Sequence, residues 1–393
     1  MILNNFDWND FLQNTWQKKP LLVKNALPAH LFEVLTPEEL AGLAMEEDVE
    51  SRIVIEKDGA TPWELKRGPF TEDDFTSTPA THWSLLVQGV NHWLPEAAEL
   101  LTAFDAIPRW RLDDVMVSFA PEEGGVGPHY DNYDVFLIQG RGKREWRLTT
   151  QHCIPENYIP NMALRLMENF PVEETYILEA GDMLYLPAKV GHWGISRSPD
   201  CMTWSVGYRS LSAREMLEHF ADFAARESLP VKWYQDPNWL DNQEHPSNIS
   251  NHSVAQAKAA LLAMLNDEAT LHRWFGQFIT EPQGHQGSLL TPPPERTLPL
   301  DRFKRRIHQG EGLSADLMSR WAQDTTTNPR LLHINGETTT VENDVEAALL
   351  DRLCSQFDHP ADELLIYVTA NTANLDLLHG LWQAGILHWL ESE

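Results

Sequence analysis

The sequence predicts an α+β protein, β-rich first and helical afterwards. Three observations lead there. Up to about residue 210 the chain offers many short apolar or alternating runs closed by glycine or proline, the pattern of a β-sandwich or barrel. After Ser210 the apolar spacing changes to a helical period. Near the end, a hairpin signal flanked by helical runs follows a proline-rich break.

Taken in order, Leu21 to Val23 is a short apolar run after Pro20. "WSLLVQGVNHW" reads equally as a strand or the start of a helix, because periodicity does not separate them. "RLDDVMVSFAP" alternates from Val115 to Phe119 and predicts a strand. "YDVFLIQGRGKREWRL" predicts a hairpin, with Gly140 and Gly142 at its turn. "TYILEAGDMLYLPAKVGHWGISRS" predicts two strands around an Ala-Gly-Asp turn, and "MTWSVGYRS" a last one.

Ser212 and Glu215 then form a capping-box pattern. Leu217, Phe220, Ala221 and Ala224 recur at helical spacing behind it. "SVAQAKAALLAMLND" and "ATLHRWFGQFIT" are two further helical runs, whose apolar faces predict packing on neighbours or on a second copy. "LLTPPPERTLP" marks a boundary. "RLLHINGETTTV" predicts a hairpin at Asn335-Gly336, with helices at about 342–356 and 371–384. A small domain of this make-up resembles a winged helix. The expected division is 1–210, 211–290 and 291–393.

Composition limits the function. The chain of 393 residues carries 30 basic and 58 acidic residues, a formal charge of −28. That balance argues against direct nucleic-acid binding and favours a basic partner. No Lys or Arg follows Arg352, so the last helical run has no cation for phosphate. Cys153, Cys201 and Cys354 lie far apart, which supports neither a disulfide framework nor a thiolate zinc site. No apolar stretch reaches the ~18 residues of a membrane span. The opening residues lack a basic end and an apolar run. A cytoplasmic protein is expected.

The chemistry starts at His129-Tyr130-Asp131. Residues i and i+2 of a strand share a face, so His129 and Asp131 project together. His192, in "GDMLYLPAKVGHWG", is a third ligand candidate. Two histidines and one carboxylate make the facial triad of non-haem Fe(II) oxygenases, which leaves positions for a 2-oxo acid and dioxygen. A 2-oxoglutarate cosubstrate has a second carboxylate that needs a buried cation. Arg144 can pair with it in bidentate fashion. Lys143 competes but sits on the opposite face, so only one of the two points inward. Each residue also has a plainer reading. Asp131 can cap a turn, His192 can be a core histidine bonded to a carbonyl, and Arg144 can be a surface cation.

"GGVGPHYDNYDVFLIQGRGKREWRL", "WSLLVQGVNHW" and "GDMLYLPAKVGHWG" together resemble the bacterial JmjC-type ribosomal oxygenases. These enzymes hydroxylate an arginine of the sixteenth large-subunit ribosomal protein. The resemblance runs over nearly the whole chain. It implies a JmjC double-stranded β-helix (a cupin-like jelly roll), a helical dimerisation segment and a winged-helix end. It also implies a protein arginine 3-hydroxylase using Fe(II), 2-oxoglutarate and dioxygen. On this resemblance His129, Asp131 and His192 hold the iron, and Arg144 binds the distal carboxylate of 2-oxoglutarate. Asp114, Tyr133 and Ser205 line the substrate-arginine pocket. Asp114 can instead end a turn, Tyr133 can pack in the core, and Ser205 can be a small strand residue. One departure is visible. Where relatives read Ser-Phe-Ser, this chain reads Ser118-Phe119-Ala120, so a hydrogen bond to the cosubstrate is lost or supplied by another group.

The expected partners are a basic ribosomal protein and a second copy of the chain. The rival readings are a JmjC histidyl or lysyl hydroxylase, an N-methyl-lysine demethylase, or a cupin-like metal-binding protein without turnover. Succinate formation separates the last of these from the others.

Overall fold

Alternation and glycine turns in the first half become twelve strands in a computed structural model that describes residues 3–57, 62–235, 237, 245, 247–282, 284 and 286–390. They are β1 (Leu21–Val23), β2 (Ser51–Glu56), β3 (Trp63–Arg67), β4 (Trp83–Val87), β5 (Leu112–Ala120), β6 (His129–Tyr130), β7 (Val135–Arg141), β8 (Lys143–Thr149), β9 (Glu174–Glu179), β10 (Met183–Leu186), β11 (Gly191–Ser196) and β12 (Cys201–Tyr208). All lie in the first of two units, Met1–Ser210. Among the described residues the α-helices of this unit are α1 (Trp8–Asn14), α2 (Pro37–Leu43), α3 (Glu72–Thr76) and α4 (Pro95–Leu100). "WSLLVQGVNHW" resolves into β4 followed by a short 3-10 turn at Val90–His92.

The strands form an eight-stranded sheet, ordered β1-β10-β7-β12-β5-β4-β2-β3, and a four-stranded sheet, ordered β6-β11-β8-β9. Strands β5 to β12 are shared between the two, as a double-stranded β-helix requires. Leu137, Leu184, Trp146, Leu148 and Leu178, from both sheets, make one buried cluster. The larger core, with Phe11, Phe104, Phe136, Tyr185, Trp204 and Tyr208, gathers α1 and the other face of the larger sheet. Phe11 and Tyr185 meet edge to face at 4.8 Å, a geometry worth ~1 kcal/mol beyond area burial.

The two strands predicted as a hairpin around Gly142 do not pair. β7 sits between β10 and β12 in the larger sheet, while β8 sits between β11 and β9 in the smaller. Gly142, at φ 66°, turns a corner from one sheet to the other. A glycine turn between two runs specifies a reversal but not which partner each strand finds. "TYILEAGDMLYLPAKVGHWGISRS" contains three strands, not two. β9 and β10 flank the Ala-Gly-Asp turn in different sheets, and β11 follows Val190.

The second unit is Leu211–Glu393. Helix α5 (Ala213–Arg226) begins at the predicted capping box, with Ser212 accepting from the Glu215 N–H. Its buried residues are Phe220, Phe223 and Ala224; Leu217 is 61% exposed. Helix α6 (Asn251–Met264) has no buried residue. Helix α7 (Glu268–Thr280) does, and Gln277 donates to Thr338 while Thr280 accepts from the Gly336 N–H.

The rest of this unit contains α8 (Leu300–His308), β13 (Leu313–Ala315), β14 (Trp321–Asp324), β15 (Arg330–Ile334), β16 (Glu337–Val341), α9 (Ala347–Ser355), β17 (Asp358–His359), α10 (Ala361–Ala370), α11 (Thr372–Gln383) and β18 (Leu387–Trp389). Asn335 and Gly336 both take positive φ at the β15–β16 turn, the geometry that the Asn-Gly pair favours. Sequence periodicity did not separate α8 or α10. α8 carries a run of cations, Arg302, Lys304, Arg305 and Arg306, against the acidic balance of the chain.

Candidate metal centre

Strand register brings the triad together. β6 and β11 pair antiparallel with His129 directly opposite His192. The two rings lie 4.2 Å apart, centroid to centroid, at 60°. Asp131 follows β6 by one residue, and its Oδ2 stands 3.6 Å from His192 Nε2. One ligand atom from each of the three residues falls within 4.8 Å of the others. Among the described residues no other such group of three His, Cys, Asp or Glu occurs.

The tautomers are set by the backbone. His129 Nδ1 lies 2.9 Å from the Gly127 carbonyl, and His192 Nδ1 lies 3.0 Å from the Val190 carbonyl. A carbonyl can only accept, so each Nδ1 carries the proton and each Nε2 offers its lone pair. Burial, and then the neighbouring His129, push the His192 pKa down to about 4. His192 is therefore a neutral donor at neutral pH. These donors fit a divalent metal: two imidazoles turned by their Nδ1 bonds to present Nε2, and one carboxylate, their atoms converging.

Arg144 shares the interior face with this group. On β8, Arg144, Trp146 and Leu148 point inward, opposite Ser196, Gly194 and His192 of β11. A side chain at Gly194 would lie 2.7 Å from the Trp146 ring, so only glycine lets Trp146 lie over β11. The Arg144 guanidinium is 5.6 Å from the Trp146 ring, which is itself 5.8 Å from the His192 ring. Arg144 is 3% exposed, and its Nη2 is buried with no hydrogen-bond partner. Native structures rarely leave a buried guanidinium nitrogen unmatched. Such a group fits the distal carboxylate of a dicarboxylic acid. Lys143 faces outward and pairs with Glu179 at 2.6 Å.

Sequence reasoning missed the residues that hold Arg144 in place. Arg144 Nε donates to Cys201 Sγ at 3.4 Å, and Gln139 Nε2 to the same sulfur at 3.3 Å. Thr203 donates to Gln139 Oε1 at 3.2 Å. Cys201 stands directly opposite Ala120, the position that departs from Ser-Phe-Ser. A buried polar side chain on an inward-facing strand position was the available signal, and it emerges only once register is known.

Asp114 and Ser205 both lie on the inner face of the larger sheet and both are buried. Asp114 Oδ2 accepts from Gln88 Nε2 at 2.8 Å and from the Gly89 N–H at 2.7 Å. Asp114 does not end a turn: it lies within β5, and this oxygen anchors the distant Gln88–Gly89 segment. Its Oδ1 lies toward Gly207, whose added side chain would meet it at 3.6 Å. Tyr133 is 41% exposed, so it is not a core residue. Burial of the phenol, and then the Asp131 carboxylate, push its pKa up. Arg52, missed in the sequence, acts on Tyr133 in the opposite direction and contacts Met116 Sδ at 3.6 Å.

Comparison with known proteins places this geometry among relatives. A model of the JmjC domain matches residues 99–216, and a model of the ROXA-like winged helix matches residues 263–388. The chain is 38% identical to the ribosomal protein uL16 3-hydroxylase of Escherichia coli, over 78% of this chain and 79% of that one. It is 31% identical to a probable ribosomal oxygenase of Haemophilus influenzae, over 87% and 84%. The structure of the E. coli ribosomal oxygenase YcfD in complex with cobalt and 2-oxoglutarate superposes with a TM-score of 0.81 at 32% identity, covering 99% of each chain.

Proposed function

The chain belongs to the JmjC-domain ribosomal oxygenases, and from that premise we propose that it is an Fe(II)- and 2-oxoglutarate-dependent oxygenase that hydroxylates an arginine of large-subunit ribosomal protein uL16. The carrying observation is the buried Arg144 guanidinium, its Nη2 without a hydrogen-bond partner, on the same interior face as the His129–Asp131–His192 cluster. That cation is what a dicarboxylate cosubstrate needs beyond a bare metal site. When bound, the iron supplies oxygen activation coupled to oxidation of 2-oxoglutarate to succinate.

In this reading His129, Asp131 and His192 hold the metal, with both imidazoles fixed through Nδ1. Arg144 pairs with the distal carboxylate of the cosubstrate, and Cys201 and Gln139 keep its guanidinium in place. Trp146 and the apolar cluster around Leu137 and Leu148 exclude water from that pair, which strengthens it. Asp114, Tyr133 and Ser205 receive the substrate arginine. A carboxylate anchors the charge, and an aromatic face suits a planar guanidinium.

The substrate comes to an acidic chain. With a formal charge of −28, the protein draws basic partners by long-range attraction. We infer that it acts as a homodimer. Leu217 of α5 and Val254, Leu261 and Leu262 of α6 are exposed at 61%, 58%, 68% and 48%, an apolar surface that a second copy can cover. Among the described residues no helix is long and apolar enough to cross a membrane. We place the protein in the cytoplasm, where ribosomal proteins are made.

The test is direct. The purified protein is incubated with iron, 2-oxoglutarate and a uL16 peptide, and both products are followed. Succinate together with one added oxygen on an arginine is the expected result. Succinate without peptide oxidation, or oxygen on histidine or lysine, overturns the arginine reading.

A further inference from the structure

The second unit holds a groove that the hydroxylation chemistry does not use. It has a volume of about 390 Å³ and lies between β16 and α11. On the strand side it is lined by Thr339, Thr340 and Val341. Successive residues of a strand point to opposite faces, so a cavity that touches three in a row runs along the strand's edge. β16 is the outer strand of its sheet, paired with β15 on one side and with no strand of the described residues on the other. Its second row of N–H and C=O groups is a ready template for another strand.

On the helix side the lining is Ala373, Asp376, Leu377, Gly380, Leu381 and Ala384, the three-and-four spacing of one helix face. Gly380 keeps this wall low, since open space lies where its side chain would stand. A strand edge facing a helix stripe that is apolar but for Asp376 is the geometry that binds extended peptides by strand addition. Main-chain bonds hold the peptide there, and alternate side chains fill the groove. Charge narrows the choice of peptide. Glu342 and Asp376 are exposed acids on the lining, which includes no Lys or Arg. Arg330, nearby, donates to the carbonyls of Glu342 and Val345.

We propose that this groove binds an extended, lysine- or arginine-containing segment of a protein partner, with every second side chain apolar and seated against α11. The site stands apart from the iron chemistry and does not depend on the hydroxylase reading.

The probe is a fluorescein-labelled heptapeptide alternating lysine with valine or leucine, titrated into the full-length protein and read by fluorescence anisotropy. Saturable binding is expected. Gly380→Leu fills the groove at an open helical position, leaves circular dichroism unchanged, and should weaken binding at least tenfold. Glu342→Lys combined with Asp376→Lys should do the same, as should N-methylation of alternate peptide residues. Succinate-coupled hydroxylation of a short arginine peptide, followed in parallel, should be unchanged in each variant. The proposal is overturned if the wild-type protein does not bind the probe or if Gly380→Leu binds it undiminished. It is also overturned if a glutamate-alternating peptide binds equally, if duplex DNA displaces the probe, or if Gly380→Leu dissolves a dimer, which would assign the groove to a second copy. Absence of hydroxylation in the wild-type protein would count against the oxygenase reading and leave the anisotropy result standing.

Discussion

His129 and His192 face each other across the β6–β11 pair, each with Nδ1 against a backbone carbonyl two residues earlier in the chain. The site is thus fixed from behind before any metal arrives. Loss of a ligand cannot be made good by rotation of the other ring. His129→Ala and Asp131→Ala are each expected to lower succinate formation and peptide hydroxylation together by more than ~100-fold, since loss of an outer partner alone typically costs 10- to 100-fold. Circular dichroism should be unchanged. Chelation of the wild-type protein should give the same loss, and added Fe(II) should restore activity.

Arg144→Ala removes the cation from a pocket closed to solvent. Truncating one member of a buried charge pair costs about 2–5 kcal/mol, so the 2-oxoglutarate requirement should rise at least ~30-fold. Lys143→Ala breaks a surface pair with Glu179 and should change that requirement less than about twofold. Ala120→Ser restores a hydroxyl opposite Cys201; a net hydrogen bond of ~1 kcal/mol predicts severalfold tighter use of the cosubstrate. Steady-state kinetics against 2-oxoglutarate decides all three.

In the proposed reading Asp114 both anchors the Gln88–Gly89 backbone and binds the substrate cation, and substitutions can separate the two. Asp114→Ala leaves the Gly89 N–H buried without an acceptor and should lower stability by ~1–3 kcal/mol. Asp114→Asn keeps an acceptor but removes the charge. It should fold normally, lose peptide hydroxylation, and retain part of the uncoupled conversion of 2-oxoglutarate to succinate. Exchanging the target arginine for lysine should reduce turnover at least ~tenfold. Peptide mass spectrometry beside a succinate assay measures both effects.

His359 links the stability of the second unit to pH. It is fully buried, and neither ring nitrogen has a hydrogen-bond partner. Burial, and then the nearby Arg352, push its pKa from 6.5 down to about 4. Between these values the unfolded chain binds a proton that the folded one refuses. The stabilisation is therefore complete above pH 6.5 and is lost as pH falls toward 4, with an upper bound on the order of 3 kcal/mol. His359→Leu should flatten this acid limb in denaturant titrations taken across the window.

The apolar exposure of α5 and α6 predicts assembly. Sedimentation at micromolar concentration should give about twice the 44.9 kDa chain mass. Leu217→Lys combined with Leu261→Lys should shift the protein to monomer with the secondary structure intact. A wild-type monomer would refute the homodimer.

The sequence disclosed most where a signal is local. His129 lies on the short strand β6 and Asp131 just beyond its end, two residues on, the Ser212 capping box starts α5 where expected, and Asn335-Gly336 makes its turn. Partnership between strands was not legible. β7 and β8 are adjacent in sequence yet lie in different sheets, so the predicted hairpin failed although both strands exist. For the same reason Cys201, Gln139 and Thr203 escaped notice as neighbours of Arg144. Their meeting depends on the register of β7, β8 and β12, which alternation alone does not fix. Trp146 carried no motif, and its place between Arg144 and His192 follows from the space left at Gly194.

The corner at Gly142 bears on how the enzyme comes into being. Because the chain changes sheets there and again between β9 and β10, few contacts of the barrel are local. β5 pairs with the earlier β4 but meets its other partner only when β12 arrives, and β6 waits for β11. Long-range pairing of this kind slows folding. During synthesis, the first histidine of the triad leaves the ribosome well before the strand that carries the second. No three-ligand metal site can exist until the last strands of the first unit have emerged and closed the barrel. With the proposed ligands, iron capture is a late event, and a growth condition that starves cells of Fe(II) only during that interval should yield folded chains that are activated afterwards by metal alone.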